Sequence, residues 1–227
     1  MSAIDAVLFD FGNTLFGHDP LARTIQRCAG ELGTPIESAV ARSIAADIDA
    51  AAHTDAELLL QRDLHRAVWD QRWRILYAIA DDRVPGLGPV LMNDMHHPHS
   101  WLPFLHTIDT VRELAAAGVA IGVVSNTGWD VRTVFAAHDI DSLIDHFVLS
   151  YEVGAVKPDA HVFLDACRRL GVRPAATLMV GDDPRADSGA VAAGLRVLLL
   201  PIVEPGADNG IQLAATLAGA RTTTSQE

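Results

Sequence analysis

Lysine is almost missing from this 227-residue sequence: of its 17 basic residues, one is lysine, Lys157, and the rest are arginine. Basic residues as a whole are outnumbered by 29 acidic ones, for a net charge of -12. Non-specific nucleic-acid binding needs a basic footprint and is excluded on that ground. Cysteine is equally scarce. Cys28 and Cys167 stand far apart, which argues against a disulfide framework and for two reduced thiols. No uncharged apolar run approaches the roughly 20 residues of a membrane span. The start, Met1-Ser2-Ala3-Ile4-Asp5, lacks the basic and apolar regions of a secretory leader, so a cytoplasmic location is expected. What is present is apolar: 49% of the residues are hydrophobic, enough for a real core and too many for a disordered chain.

The apolar residues fall into short runs: Ala6 to Phe9, Val119 to Val124, His146 to Leu149, Thr177 to Val180 and Leu195 to Leu200. Between the later runs lie amphipathic stretches, Ile108 to Ala117, Asp159 to Leu170 and Asp187 to Ala193, each followed by glycine, the expected helix stop. Strands alternating with helices predict an α/β fold with a parallel sheet. The interval after the first strand differs. It reads as helices alone, over Pro20 to Leu32, Pro35 to His53, Ala56 to Ala80 and Gly88 to Met95. The expected division is therefore a core of residues 1–16 and 99–227 with a helical module of residues 17–98 inserted. The polar tail, Arg221 to Glu227, is expected to fray.

Ligands of open α/β sheets bind beyond the carboxyl ends of the strands. Those ends carry Asp10-Phe11-Gly12-Asn13-Thr14, then Ser125-Asn126-Thr127, then, in a segment following the third strand, Lys157-Pro158, then Gly181-Asp182-Asp183 with Asp187 beyond. A carboxylate, a hydroxyl, an ammonium and further carboxylates suit a phosphate held beside a divalent cation. Each residue also has a plainer use as a helix cap or turn former. The ammonium is harder to explain away. A chain that otherwise uses arginine keeps its one compact cation here, and the two side chains are not interchangeable.

In order and spacing these motifs resemble the four motifs of the haloacid dehalogenase superfamily, over residues 5 to 200. The resemblance implies a doubly wound, Rossmann-like core, strand order 3-2-1-4-5, and a small helical cap that closes over the site. It implies a Mg2+-dependent phosphatase for a small phosphorylated substrate. Asp10 would be the nucleophile and form an aspartyl-phosphate. Ser125, Asn126 and Lys157 would hold the phosphoryl group. Asp10, the Gly12 carbonyl, Asp182 and Asp187 would serve Mg2+, with Asp183 a further carboxylate. Monomer and homodimer both remain open.

One position departs from the pattern. Phosphatases of the superfamily carry an acid/base aspartate two residues after the nucleophile, and here Gly12 stands there. Losing a positioned acid/base typically costs ~10²–10⁴ in rate. His18 or Asp19 could replace it, the substrate could carry a good leaving group, or the chain could be a weak relative that binds a phosphorylated ligand or a protein partner. A Schiff-base phosphonatase is set aside because residues 17–98 contain no lysine. A metal-free dehalogenase is set aside because of Asp182-Asp183. Within the helical module, His65, Trp69 and Trp73 share a face at i, i+4 spacing, and packing inside the module is favoured over a ligand pocket. His96-His97-Pro98-His99 reads as a hinge rather than a metal site, and Glu152 as loop structure.

Overall fold

The computed structural model describes residues 3–220. Five strands, β1 (Ala6–Phe9), β4 (Ala120–Ser125), β5 (His146–Leu149), β6 (Thr177–Gly181) and β7 (Arg196–Leu199), form one parallel sheet in the order β5-β4-β1-β6-β7. This is the expected 3-2-1-4-5 arrangement. β1 is central, with Ala6 paired to Ala120 on one side and Thr177 on the other. All four of its residues are fully buried. A strand covered on both faces must be apolar throughout, hence the unbroken Ala-Val-Leu-Phe run. Val7 and Phe9 share a core with Val111, Leu114 and Ala214. Leu8 points the other way, to Val162, Phe163 and Ala166. Helices α6 (Thr107–Ala116) and α11 (Leu213–Ala218) thus cover one face, and α9 (Ala160–Leu170) the other. Gly171 ends α9 with φ of 70°, a conformation glycine adopts without a Cβ clash. Short helices α7 (Arg132–Ala137), α8 (Ser150–Val153) and α10 (Gly189–Ala192) complete this part.

Between β1 and β4 lie α1 (Leu21–Glu31), α2 (Ser38–Ala52), α3 (Asp55–Leu59), α4 (Arg66–Tyr77) and α5 (Leu87–His96). The helical character of this interval is as expected, with two corrections. The chain enters and leaves it through a two-stranded antiparallel ribbon, β2 (Phe16–His18) against β3 (Trp101–Pro103). Three-residue strands are too short to show a period, and their partners lie more than 80 residues apart.

The single helix expected over Ala56 to Ala80 is broken. Gln61 has φ of 46°, Arg62–Leu64 form a 3₁₀ turn, and His65 is extended before α4 begins. The break is held by the buried Glu57, which accepts from Arg72, and by the Asp63 carbonyl, which accepts from Ser150 Oγ at 2.6 Å. His65 therefore stands at the cap of the helix, its carbonyl accepting from the Trp69 amide at 2.9 Å, rather than inside a longer helix. Those two indoles pack 6.1 Å apart.

The helix expected over Asp187 to Ala193 shortens to α10. The turn before it is used to fold Asp187 back, with its amide donating to the Asp183 carbonyl. Cys28 and Cys167 are buried free thiols. Among the described residues no helix is long and apolar enough to cross a membrane. The tail from Arg221 lies outside the described residues.

Candidate active site

Asp10 leaves β1 with its amide still bonded to the Val180 carbonyl, so its side chain emerges at the sheet's carboxyl edge. The chain then turns tightly. Asn13 adopts φ of 54°, and Leu15 and Phe16 both donate to the Phe11 carbonyl. The buried Phe11 ring anchors the turn 4.7 Å from Trp101.

Lys157 arrives from the segment after β5. Asn126, at the end of β4, clamps its backbone on both sides. The Asn126 amide nitrogen donates to the Lys157 carbonyl at 3.0 Å, and its oxygen accepts from the Lys157 amide at 2.8 Å. The same Asn126 side chain, expected to touch phosphate, lines the cleft and also positions lysine. Lys157 Nζ lies 2.7 Å from Asp10 Oδ1 and 2.7 Å from Asp187 Oδ1. Asp187 is fully buried, and its other oxygen accepts from the Asp183 amide at 3.0 Å. A β-carbon on Gly181 would overlap that carboxylate, which explains glycine there. Asp182 accepts from Thr14 Oγ at 3.1 Å. Among the described residues the buried Ser125 hydroxyl has no hydrogen-bond partner, and it faces the same cleft of about 300 Å³.

Asp10, Asp182 and Asp187 bring one carboxylate oxygen each to within 4.8 Å of one another. Three carboxylates against one ammonium leave two negative charges uncompensated in a partly desolvated place. Burial, and then the neighbouring Asp187, push the Asp10 carboxyl above its ordinary range, although Lys157 opposes this. Burial and the Asp10 charge raise Asp182 to about 6. Burial works against the Lys157 ammonium, but Asp10 and Asp187 outweigh it and keep it cationic. An all-oxygen donor set with two surplus negative charges fits a hard divalent cation. Gly12 and Asp183 also line the cleft. Asp183 is exposed at the rim, where one of its oxygens accepts from the Arg185 amide.

The structure does not bring His18 or Asp19 into this cleft. His18 Nε2 pairs with Asp94 at 3.1 Å, and Asp19 pairs with the exposed Arg23 at 3.0 Å. His97 and His99 line a separate cavity with His18, Arg27 and Asp94. Three participants were given no role from the sequence. Thr14 orients Asp182, and Trp101 and Trp129 wall the cleft. Thr14 could have been suspected from its place in the turn after Asp10. Trp101 opens the short strand β3 and Trp129 lies on the loop after β4, and neither has a signal of its own.

The chain is similar to known proteins over most of its length. It is 28% identical over 208 residues to a glyceraldehyde 3-phosphate phosphatase of Methanopyrus kandleri, covering 85% of this chain and 82% of that one. It is 26% identical over 230 residues to a ribulose-1,5-bisphosphate 5-phosphatase of Halopiger xanaduensis, covering 93% and 91%. The crystal structure of a dehalogenase superimposes with a TM-score of 0.72 at 18% identity, covering 98% of this chain and all of that one, a likeness of fold alone. The model of the haloacid dehalogenase-like hydrolases matches residues 4–194. With the sheet order, the strand-end carboxylates and the buried lysine in place, the chain belongs to the haloacid dehalogenase-like hydrolase family.

Proposed function

We propose that this hydrolase is a Mg2+-dependent phosphatase for a small phosphorylated metabolite, working through an aspartyl-phosphate on Asp10. The observation that carries the reading is the ammonium of Lys157 held 2.7 Å from both Asp10 and the buried Asp187, with Asp182 beside them. A buried lysine tied to two carboxylates has little value for stability against an apolar replacement, so its retention points to chemistry. The names of the two relatives support phosphate esters of small sugars as the substrate class.

An oxygen of Asp10 attacks phosphorus, and the bond from phosphorus to the leaving oxygen breaks. The leaving oxygen takes a proton. Water then attacks the phosphoryl group, loses a proton, and frees inorganic phosphate and Asp10. Lys157 orients the nucleophile and offsets phosphoryl charge, while the free Ser125 hydroxyl donates to a phosphoryl oxygen. Mg2+ bound by Asp10, Asp182, the Gly12 carbonyl and, directly or through water, Asp187 would neutralise charge developing on the phosphoryl oxygens. The five helices of residues 17–98 act as the cap that excludes water. The buried free thiols suit a cytoplasmic setting.

No side chain at position 12 offers the leaving-group proton, and neither His18 nor Asp19 reaches the cleft. Turnover therefore rises with the acidity of the leaving group. Gly12 also favours a second reading, a relative that binds a phosphorylated ligand without turning it over. Phosphate release from a panel of sugar phosphates and an activated aryl phosphate, with Mg2+ or chelator, separates the two. Chelator-sensitive release that Asp10→Asn abolishes supports the phosphatase. Binding without release from any ester establishes the second reading.

A further inference from the structure

A second cavity of about 280 Å³ lies beside the Asp10 cleft, and the buried indole of Trp129 is a wall of both. Its other walls come from the helical segment: Trp69 and Arg66 from α4, and His96 from the end of α5. The His96 ring is wedged between two indoles, 5.3 Å from Trp69 and 5.5 Å from Trp129. Asp70 and Asp130 line the cavity as well, but each already has a cation. Asp70 accepts from Arg74 at 3.0 Å, and Asp130 from Arg132 at 3.1 Å. Arg66 and His96 are different. Among the described residues neither the exposed Arg66 nor the half-buried His96 makes a hydrogen bond or an ion pair. The cavity thus holds an uncommitted guanidinium and an uncommitted imidazole over aromatic walls.

We infer that this cavity receives the non-reacting end of the substrate, and that Arg66 and His96 select substrates whose far end carries one anionic group. The inference rests on the phosphatase reading of the Asp10 cleft. A phosphate ester seated on Lys157 and Ser125 extends past Trp129 into the cavity along a short carbon chain. Guanidinium pairs carboxylate and phosphate oxygens through a planar fork, a charge-assisted contact stronger than any to a hydroxyl. The His96 N–H adds a second donor. A single anionic centre fits, because Arg66 is the one arginine on these walls and Asp70 and Asp130 are already paired with Arg74 and Arg132. A second phosphate and a carboxylate share this chemistry, and both belong in the test.

The test compares kcat/KM, with Mg2+ present, for three-carbon phosphate esters ending in a hydroxymethyl, a carboxylate or a second phosphate. An activated aryl phosphate serves as the general measure of turnover. The wild-type protein is expected to favour the anionic-ended esters about tenfold or more, mainly through KM. A factor of ten is the scale of one charge-assisted contact. Arg66→Gln is expected to cut that ratio about tenfold, and His96→Ala by a smaller factor. Arg42→Gln, an exposed site on α2, is expected to leave the ratio as it was. Turnover with no preference, or a preference that survives Arg66→Gln, overturns the inference and leaves the phosphatase reading intact. No release from any ester, the aryl phosphate included, overturns both. Of the two anionic ends, the one with the lower KM identifies the group that the cavity takes.

Discussion

The ring of Trp69 occupies the space that a β-carbon on Gly128 would need. Trp69 belongs to α4 and Gly128 to the loop after β4, so this contact seats the helical segment on the parallel sheet's active edge. Gly128→Ala must move the indole or the loop. Overpacking of this kind costs about 1–3 kcal/mol. Urea unfolding should show that loss, and amide exchange in α4 should quicken. An unchanged midpoint with unchanged exchange would mean that the seat is loose.

The three clustered carboxylates predict a response to Mg2+ before any substrate is added. Ligand at 100 times its Kd stabilises by about 2.7 kcal/mol, so Mg2+ should raise the melting temperature and chelator should reverse it. Asp182→Asn should remove most of the effect. A melting temperature indifferent to Mg2+ would count against a metal here.

The same cluster has a pH signature in the metal-free protein. Asp182 is held near 6 when folded, above its ordinary carboxyl value. A group with a raised carboxyl pKa binds its proton more tightly when folded, so stability rises as pH falls through about 6 towards the unfolded value. Mg2+ needs the ionised carboxylate, and its affinity should weaken over that same window. Melts from pH 7.5 to 4.5, with and without Mg2+, should therefore converge at the acid end.

Position 12 offers a gain-of-function test. A β-carbon there meets nothing within 4 Å, and the backbone is not in the left-handed region. Gly12→Asp should fold as well as the parent. It should raise kcat on unactivated esters by about 10²-fold or more, within the ~10²–10⁴ span of a positioned acid/base. Activated aryl esters should change far less. Equal gains on both would show that the new carboxylate does something other than protonate the leaving oxygen.

Away from the cleft, Asp94 accepts from His18, Arg27 and Ser100 and ties α5 to α1 and both linkers. Burial works against its charge, but the bond from His18 and then those from Arg27 and Ser100 hold its pKa well below the carboxylate range. Its stabilisation is present above about 3.8 and is lost as pH falls further. For His18 burial also opposes the charge, and Asp94 outweighs it to raise the pKa. That part is complete below about 6.5 and is lost as pH rises through the folded value. Asp94→Asn should therefore cost most between those limits, about 1–2 kcal/mol given the half-exposed Arg27. A pH-independent cost would show that packing, not charge, is what Asp94 supplies.

The central sheet was legible because a strand buried on both faces leaves an unbroken apolar run, as at Ala6–Phe9. Asp10, Ser125 and Asp182 were legible because each follows such a run, and strand ends converge in a parallel sheet; Lys157 was legible as the sole lysine, in the segment after β5. The ribbon of Phe16–His18 and Trp101–Pro103 was not, since three residues carry no period. The break at Gln61 was not either. It is held by Glu57 and Ser150, contacts that no local pattern records.

Sequence by itself determined the layered α/β core, the helical interval and the chemical inventory at the strand ends, because apolar periodicity and strand-end position are local properties. Tertiary structure alone decided how the inventory is spent. It set Asn126 against the Lys157 backbone, folded Asp187 onto the ammonium, and sent His18 to Asp94 instead of to the cleft. It also set Arg66 and His96 around Trp129, more than 60 residues from Arg66 and more than 30 from His96. The first three outcomes depend on which polar group finds a partner across the fold, and the last on which rings pack together, and both are settled by packing rather than by spacing along the chain.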